Sequence, residues 1–273
     1  MKGFNKFSIL WSACWTAVIA AAIGACSQVP VTGRSQLSLV SSQEMLSMST
    51  TEYSNFIKTN KVAPSTDKQA QMVRKVGQNI QFAVEKYFRE HNLSGNLSGY
   101  KWEYNLVESK EVNAWCMPGG KVVVYTGILP ITKNDTGLAV VLGHEIAHAV
   151  AEHGKERMSQ GMIAQLGGMA LDQALEQKSA ETKQIWMTAY GLGAQYGVLM
   201  PYGRTQESEA DHLGLIFMAM AGYDPHAALT FWQRMAAQGG SKPPEILSTH
   251  PSDETRIADI SKRMPEAMTY YHK

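Results

Sequence analysis

The sequence has almost no excess of charge of either sign and little cysteine. Among its 273 residues, 25 are Lys or Arg and 24 are Asp or Glu, so the formal net charge is +1. The basic residues are scattered and form no stripe that could follow phosphates, so we expect no nucleic-acid partner. The sequence contains no internal repeat and no low-complexity tract. Its hydrophobic content of 44% is enough for one compact domain with a leader.

The first part of the chain has the pattern of a secretory leader. Lys2 and Lys6 precede an uncharged apolar run over residues 7–25, and small residues lead into Cys26. The letters I-G-A-C resemble the bacterial lipobox, in which the cysteine is lipidated. We therefore predict a lipoprotein signal peptide over residues 1–25 and lipidation of Cys26. The alternative is a transmembrane anchor, since about 19 apolar residues can just span a bilayer.

The cysteine count agrees with export and lipidation. Cys14, Cys26 and Cys116 are the three cysteines; processing removes the first and acylation uses the second. Cys116 is then alone, so we expect no intramolecular disulfide even in an oxidising compartment. Lipid on Cys26 would tether the protein to a membrane. Ser27 is similar to the residue after the cysteine in outer-membrane lipoproteins of proteobacteria, which implies the outer membrane, facing the periplasm.

Periodicity along the mature chain predicts an α+β domain dominated by helices, with a small sheet. Residues 26–41 are rich in Ser, Gln, Val and Gly and are interpreted as a tether, followed by a domain over residues 42–273. Strand-like patterns cover residues 100–107 and 121–125. Apolar residues at helical spacing dominate the rest, including a helix that begins at about Asp135.

The strongest chemical signal is H-E-x-x-H, formed by His144, Glu145 and His148. Residues four apart on a helix differ by only about 40° in direction, so both imidazoles can reach one metal ion. Glu145 is then the candidate base that takes a proton from a zinc-bound water. The alternative, a pair of histidines on a solvated face, is disfavoured because the flanking residues are apolar and unpaired buried groups cost stability.

A catalytic zinc needs a third protein ligand and one open position. The segment E-S-E-A-D supplies Glu207 as that ligand, and Asp211, four residues later, shares its face. Asp211 is predicted to accept a hydrogen bond from a ligand imidazole and so to fix its tautomer. Glu209 points about 200° away from Glu207 and is interpreted as a surface carboxylate. The expected cofactor is one zinc ion per chain.

Several segments together resemble the zinc metallopeptidase family of HtpX and the CAAX prenyl proteases, closest to its soluble lipoprotein and mitochondrial quality-control branch. The matching segments are H-E-I-A-H-A-V-A-E-H, P-Y-G-R-T-Q-E-S-E-A-D-H-L-G, T-G-R-S-Q-L-S-L, N-A-W-C-M-P-G-G-K-V-V-V-Y-T-G and H-P-S-D-E-T-R-I. The resemblance implies a gluzincin fold, endoproteolysis of proteins, ligands His144, His148 and Glu207, and a catalytic Glu145. Cys116 and Gly203 depart from the family pattern, and neither is a ligand.

Four further residues are candidates for the site. The strand-like sequence that begins at Asn113 and Ala114 predicts either an edge strand that pairs with substrate or a plain core hairpin. The family resemblance favours substrate binding by these two residues. The resemblance also places His250 near the metal, where it either stabilises an oxyanion or occupies the fourth position. Arg204 is the alternative oxyanion group. His153 is predicted to lie on the same helix as His144, off its ligand face.

Together these patterns predict a membrane-tethered zinc endopeptidase that cleaves misfolded or misassembled envelope proteins. Its partners would be protein substrates, the membrane and envelope assembly machinery. The alternative function is a periplasmic chaperone or assembly factor whose zinc is structural or latent. Glu145 argues against that alternative, because a structural site needs no base beside the metal. A metal-storage module would be expected to repeat its ligand cluster, and this sequence has one.

Overall fold

The structure, a computed structural model, describes residues 26–195, 199–238, 246 and 254–272. Residues 1–25, which carry the predicted signal peptide, lie outside the described residues, and so does His250. In the described part of the chain, no helix combines the length and apolarity needed to cross a bilayer.

An N-terminal hairpin opens the fold. Strand β1 (Cys26–Gln28) pairs antiparallel with β2 (Ser35–Leu37), and Gly33 makes the turn with a φ of 68° that favours glycine. Val29 and Gln36 are buried, with exposures of 1% and 2%. The segment predicted as a tether is therefore folded against the rest of the protein over much of its length.

Two capped helices follow the hairpin. Helix α1 (Ser42–Thr59) begins at a capping box formed by Ser41 and Glu44, which satisfies two backbone donors. Helix α2 (Lys68–Glu90) begins where Asp67 accepts hydrogen bonds from the amides of Gln69 and Ala70. Its apolar residues recur at helical spacing and form one buried face, made of Val73, Val76, Ile80, Val84 and Phe88.

A three-stranded mixed sheet lies at the centre of the chain. Strands β3 (Glu103–Val107), β4 (Ala114–Met117) and β5 (Lys121–Tyr125) have the spatial order β3-β5-β4. β5 runs parallel to β3 and antiparallel to β4, and every residue of β5 is buried because the strand is central. No other strand among the described residues pairs with the outer side of β4. β4 therefore forms an edge of the sheet.

Helices make up the remainder of the domain. Two 3₁₀ turns (Ser94–Leu97 and Thr126–Ile128) flank the sheet. The helices after it are α3 (Leu129–Thr132), α4 (Asp135–Val150), α5 (His153–Ala174), α6 (Ala180–Ala194), α7 (Met200–Met220), α8 (Ala227–Ala236) and α9 (Glu254–Thr269). The prediction of an α+β fold, mostly helical with a small sheet, is confirmed.

Helix α4 is the central element of the domain. Asn134 caps it through the amide of Gly137, and every residue from Gly137 to its end is buried. It packs against α2, α7, α8 and β4. A helix that is apolar on all sides belongs in a core, and this one carries the H-E-x-x-H residues into the interior.

Two glycines bring α4 and α7 close together. A Cβ added at Gly143 would lie 2.8 Å from the carbonyl oxygen of Gly214, and one added at Gly214 would lie 2.9 Å from the amide nitrogen of His144. Side chains larger than hydrogen would push the two backbones apart. The crossing therefore takes place beside His144, and it brings Glu207, in the first half of α7, next to the histidines of α4.

Candidate active site

Three buried side chains meet where α4 crosses α7. His144 Nε2 lies 3.3 Å from Glu207 Oε2, and His148 Nε2 lies 3.2 Å from Glu207 Oε1. The two Nε2 atoms are 3.1 Å apart. Within the described residues, these three form the group of His, Cys, Asp and Glu side chains whose geometry suits a metal ion.

The triangle of donor atoms fits a tetrahedral zinc site. Donors at about 2.1 Å from a tetrahedral ion lie about 3.4 Å from one another. The two histidine Nε2 atoms are 3.1 Å apart, and each lies 3.2 or 3.3 Å from a different oxygen of the Glu207 carboxylate, so these separations are close to that value. These three side chains would hold a zinc ion through three protein ligands, the number that catalytic zinc sites use together with one open position.

Asp211 lies directly behind His144. Its Oδ1 is 2.9 Å from His144 Nδ1, which is the contact that the sequence predicted for it. Arg256 donates two hydrogen bonds of 2.7 Å to the same carboxylate and lies over the Trp232 ring, 3.4 Å from its centroid. The bidentate ion pair and the stacked ring fix Asp211, and through it the orientation of the His144 imidazole.

The charged side chains around His144 change the pKa values of both His144 and Asp211. Burial alone would raise the pKa of Asp211, but the charge of Arg256 and the contact with His144 lower it. Burial and Arg256 act to lower the pKa of His144, yet its hydrogen bonds with Asp211 and Glu207 raise it to about 9. A metal ion that binds here must therefore displace a proton from His144, so acid conditions oppose binding.

His148, the second candidate ligand, has a different partner. His148 Nδ1 lies 2.7 Å from Nδ1 of His153, whose Nε2 lies 2.9 Å from Glu209 Oε2. Glu209 is 7% exposed, so its interpretation as a surface carboxylate is wrong. Its side chain contacts the N-terminal hairpin, which covers the helix face on which Glu209 lies.

His153 is also placed differently from the prediction. It begins α5 and does not continue α4, because Ala151 and Glu152 interrupt the helix and Glu152 adopts a left-handed φ of 59°. This break returns the chain towards the metal site, so that the fully buried His153 packs beside His148. It does not belong to the group of His144, His148 and Glu207.

Glu145 is buried between the histidines in α4 and is 4% exposed. The pKa of the Cys116 thiol in β4 is raised well above its usual value. The main cause is burial, and the negative charge of Glu145 adds to it. Helix α4, which carries Glu145, packs against β4, which carries Cys116.

The remaining candidates lie further from the triangle. Asn113 precedes β4, and its side-chain oxygen accepts a hydrogen bond from the backbone amide of Ala114. Ala114 is 2% exposed at the start of the strand. Arg204 is exposed and lines a surface cavity of about 700 Å³ together with Thr32 and Glu209. Neither the two histidines nor Glu207 line that cavity. His250 lies outside the described residues.

Comparison with known proteins agrees with this geometry. Residues 75–264 match the sequence profile of Peptidase family M48. The chain belongs to this family. Membership in M48 confirms the family resemblance and the enzyme class that the sequence predicted, a metallopeptidase with a glutamate as third candidate ligand.

Relatives in M48 come from mitochondria and bacteria. The chain is 39% identical over 63% of its length to the mitochondrial metalloendopeptidase OMA1 of Schizosaccharomyces pombe, and covers 49% of that protein. It is 31% identical over 88% of its length to the human OMA1 metalloendopeptidase, covering 46%. The beta-barrel assembly-enhancing protease of Escherichia coli is 30% identical over 59% of the chain, which covers 34% of that protein. The chain thus spans about half the length or less of these relatives.

Sequence reasoning missed three residues around the site. Arg256 was present in the H-P-S-D-E-T-R-I segment, but its role was not assigned. Trp232 carried no motif, and it is 2% exposed beneath Arg256. Arg34 was present in T-G-R-S-Q-L-S-L, in a segment interpreted as a tether. Each arginine lies in a segment that resembles the family, but the sequence does not indicate which carboxylate it contacts.

Proposed function

We propose that this M48 protein is a zinc-dependent endopeptidase tethered to a membrane, which cleaves misfolded or misassembled envelope proteins. The observation that carries the proposal is the triangle of His144, His148 and Glu207, with donor separations of 3.1 to 3.3 Å and Glu145 beside it. A structural zinc site closes all four positions with protein ligands, whereas three ligands and an adjacent carboxylate suit hydrolysis.

The chain's own residues divide the chemistry between them. When bound, zinc supplies Lewis-acid polarisation of the scissile carbonyl and lowers the pKa of water towards neutrality. Glu145 takes the proton of the attacking water and passes it to the leaving amine. Asp211 holds the proton on Nδ1 of His144, which leaves Nε2 free to act as a donor to the metal. His250 remains the predicted oxyanion group, with Arg204 as the alternative.

The edge strand β4 supports an extended protein substrate. Because its outer side has no strand partner among the described residues, a substrate backbone can add there as a further strand. β4 packs against α4, so such a strand would run past Glu145. Asn113 and Ala114 are proposed to bind the substrate at the start of this edge.

Casein cleavage tests the peptidase proposal. The purified full-length chain is expected to cut casein at internal sites, because pairing with an edge strand holds an extended backbone without requiring a free end of the substrate. Fragments mapped by mass spectrometry should begin and end inside the casein sequence, and a zinc chelator should stop their formation. A chain that binds zinc and casein but produces no fragments would favour the chaperone or assembly factor instead.

Cys26 is the proposed lipid attachment site. It is exposed at the start of β1, and the I-G-A-C letters before it resemble a lipobox. Cys26→Ala is expected to move the protein from the membrane fraction of bacterial cells to the soluble fraction, because the acyl chains would supply the anchoring energy. Ser27→Ala serves as the matched control. A Cys26→Ala protein that stays in the membrane fraction would favour the transmembrane anchor.

The proposed substrates and partners follow from the relatives. One relative is named for enhancing β-barrel assembly, and others are named as mitochondrial metalloendopeptidases. Cleavage of envelope proteins and contact with envelope assembly machinery are proposed for this chain by analogy with those names. Outer-membrane attachment, facing the periplasm, is proposed on the sequence around Cys26.

A further inference from the structure

A continuous chain of side chains joins the ligand His148 to the N-terminal hairpin. His148 contacts His153, His153 contacts Glu209, and Glu209 receives a hydrogen bond of 3.0 Å from Nε of Arg34. Thr32, two residues before Arg34, also donates to Glu209. The hairpin turn is thus connected to the metal site through two intervening side chains.

The order of donors along this chain follows from metal binding. If His148 binds the metal through Nε2, its proton is on Nδ1, and it donates to Nδ1 of His153 across 2.7 Å. His153 must then carry its own proton on Nε2, which donates to the Glu209 carboxylate across 2.9 Å. Every hydrogen bond has one donor and one acceptor. The arrangement lengthens the usual carboxylate–histidine–metal unit by one imidazole.

Arg34 fixes the far end of this chain. Its guanidinium donates two hydrogen bonds, of 2.9 and 2.8 Å, to Glu156, while Nη2 lies 2.9 Å from Glu209. Glu156 is fully buried and also accepts from Gln206. Glu209 thus accepts hydrogen bonds from Thr32 and Arg34 of the hairpin, and its Oε2 lies 2.9 Å from Nε2 of His153.

The two ligand histidines are supported in parallel ways. His144 contacts Asp211, which Arg256 holds; His148 reaches Glu209 through His153, and Arg34 holds Glu209. One arginine comes from the last described helix and the other from the first turn of the mature chain. Each carboxylate is thus locked by an arginine distant from it in sequence.

We propose that Arg34 is a positioning residue of the metal site, which acts through Glu209 and His153 on His148. The N-terminal hairpin is then part of the metal-binding apparatus as well as a connection to the membrane. This inference rests on the proposed zinc site. Partners behind metal ligands commonly contribute about 10- to 100-fold to metal affinity.

Zinc affinity of the full-length chain tests the proposal, measured by competition with a chromophoric chelator. Arg34→Ala is expected to weaken zinc binding about 10- to 100-fold, and Glu209→Ala by at least as much. Because Arg34 acts through Glu209, the double variant should bind no more weakly than Glu209→Ala alone. Arg89→Ala, at an exposed arginine near the end of α2, is the control and should bind as the parent does.

Arg34→Lys provides a second measurement if the alanine variant fails to fold. A lysine keeps the charge but cannot bridge Glu156 and Glu209 with a planar fork, so its zinc affinity should lie below that of the parent. The absorption spectrum of the cobalt-substituted chain should also shift in both Arg34 variants, because the His148 donor would move.

Three results would overturn the proposal. Arg34 variants that bind zinc as tightly as the parent would remove the link to the metal. Losses that multiply in the double variant would show that Arg34 acts independently of Glu209. A parent chain that binds no zinc would overturn the proposed zinc site and this inference with it. The measurement on the parent chain alone distinguishes this result from the other two.

Discussion

Replacing Glu145 by glutamine is expected to lower the rate of casein cleavage by about 10²- to 10⁴-fold, the usual contribution of a general base. Glutamine keeps the size of the side chain but cannot accept a proton from water. Glu145 is not one of the three candidate metal ligands, His144, His148 and Glu207, so zinc binding should be retained. Initial rates of casein cleavage and bound zinc, measured on the same preparation, check both parts.

Glu90→Gln is the matched control, since this glutamate is exposed at the end of α2. It should leave both the rate and the zinc content unchanged. A Glu145→Gln protein that retains zinc and cleaves casein at a rate near that of the parent would contradict the assignment of Glu145 as the base.

Replacing Glu207 by alanine is expected to abolish cleavage by a different route. The carboxylate supplies one of the three donors, 3.2 and 3.3 Å from the histidine nitrogens, and alanine leaves only two. Loss of a direct ligand should weaken zinc binding by more than the roughly 100-fold seen for supporting residues. Equilibrium dialysis against buffered zinc, followed by the casein assay, measures both effects.

His212→Ala serves as the control in the same helix. His212 pairs with Glu266 at 2.8 Å and is not part of the metal triangle, so zinc binding should persist. The two central variants then separate two roles: Glu145→Gln keeps the metal and loses the reaction, while Glu207→Ala loses both. Tight zinc binding by Glu207→Ala would contradict the ligand assignment.

The sequence predicted the parts of the site that depend on local spacing. His144 and His148 are four residues apart in one helix, and that spacing alone brings their imidazoles together. The helix was expected at about Asp135 and begins there, because Asn134 caps it. Asp211 was expected beside a ligand imidazole because it lies one turn after Glu207, and it lies 2.9 Å from His144.

What the sequence could not predict depends on contacts between distant segments. Glu209 was assigned to the surface because a helix alone does not reveal what covers its far side, and here the hairpin around Arg34 covers it. His153 was assigned to α4 because Glu152, a non-glycine residue, gives no local sign of a left-handed backbone. Arg256 lies 45 residues beyond the Asp211 it holds, a separation that no periodicity detects.

The same reason explains the N-terminal segment. A sequence rich in Ser, Gln and Gly, such as that of residues 26–41, is typical of a linker. The two strands in this segment have only three residues each. Such short strands carry little periodicity. Their order comes from partners in α5 and α7, including Glu156 and Glu209, which lie more than 100 residues away.

A zinc titration of the metal-free chain tests the central claim most directly. The full-length protein, stripped with a chelator, would be returned to measured amounts of zinc while casein cleavage is followed. Because three donors surround one tetrahedral position, the rate should rise with added zinc and level off at one ion per chain. Full cleavage by the metal-free chain, or no cleavage after one zinc has bound, would contradict the claim that this triangle holds the catalytic metal.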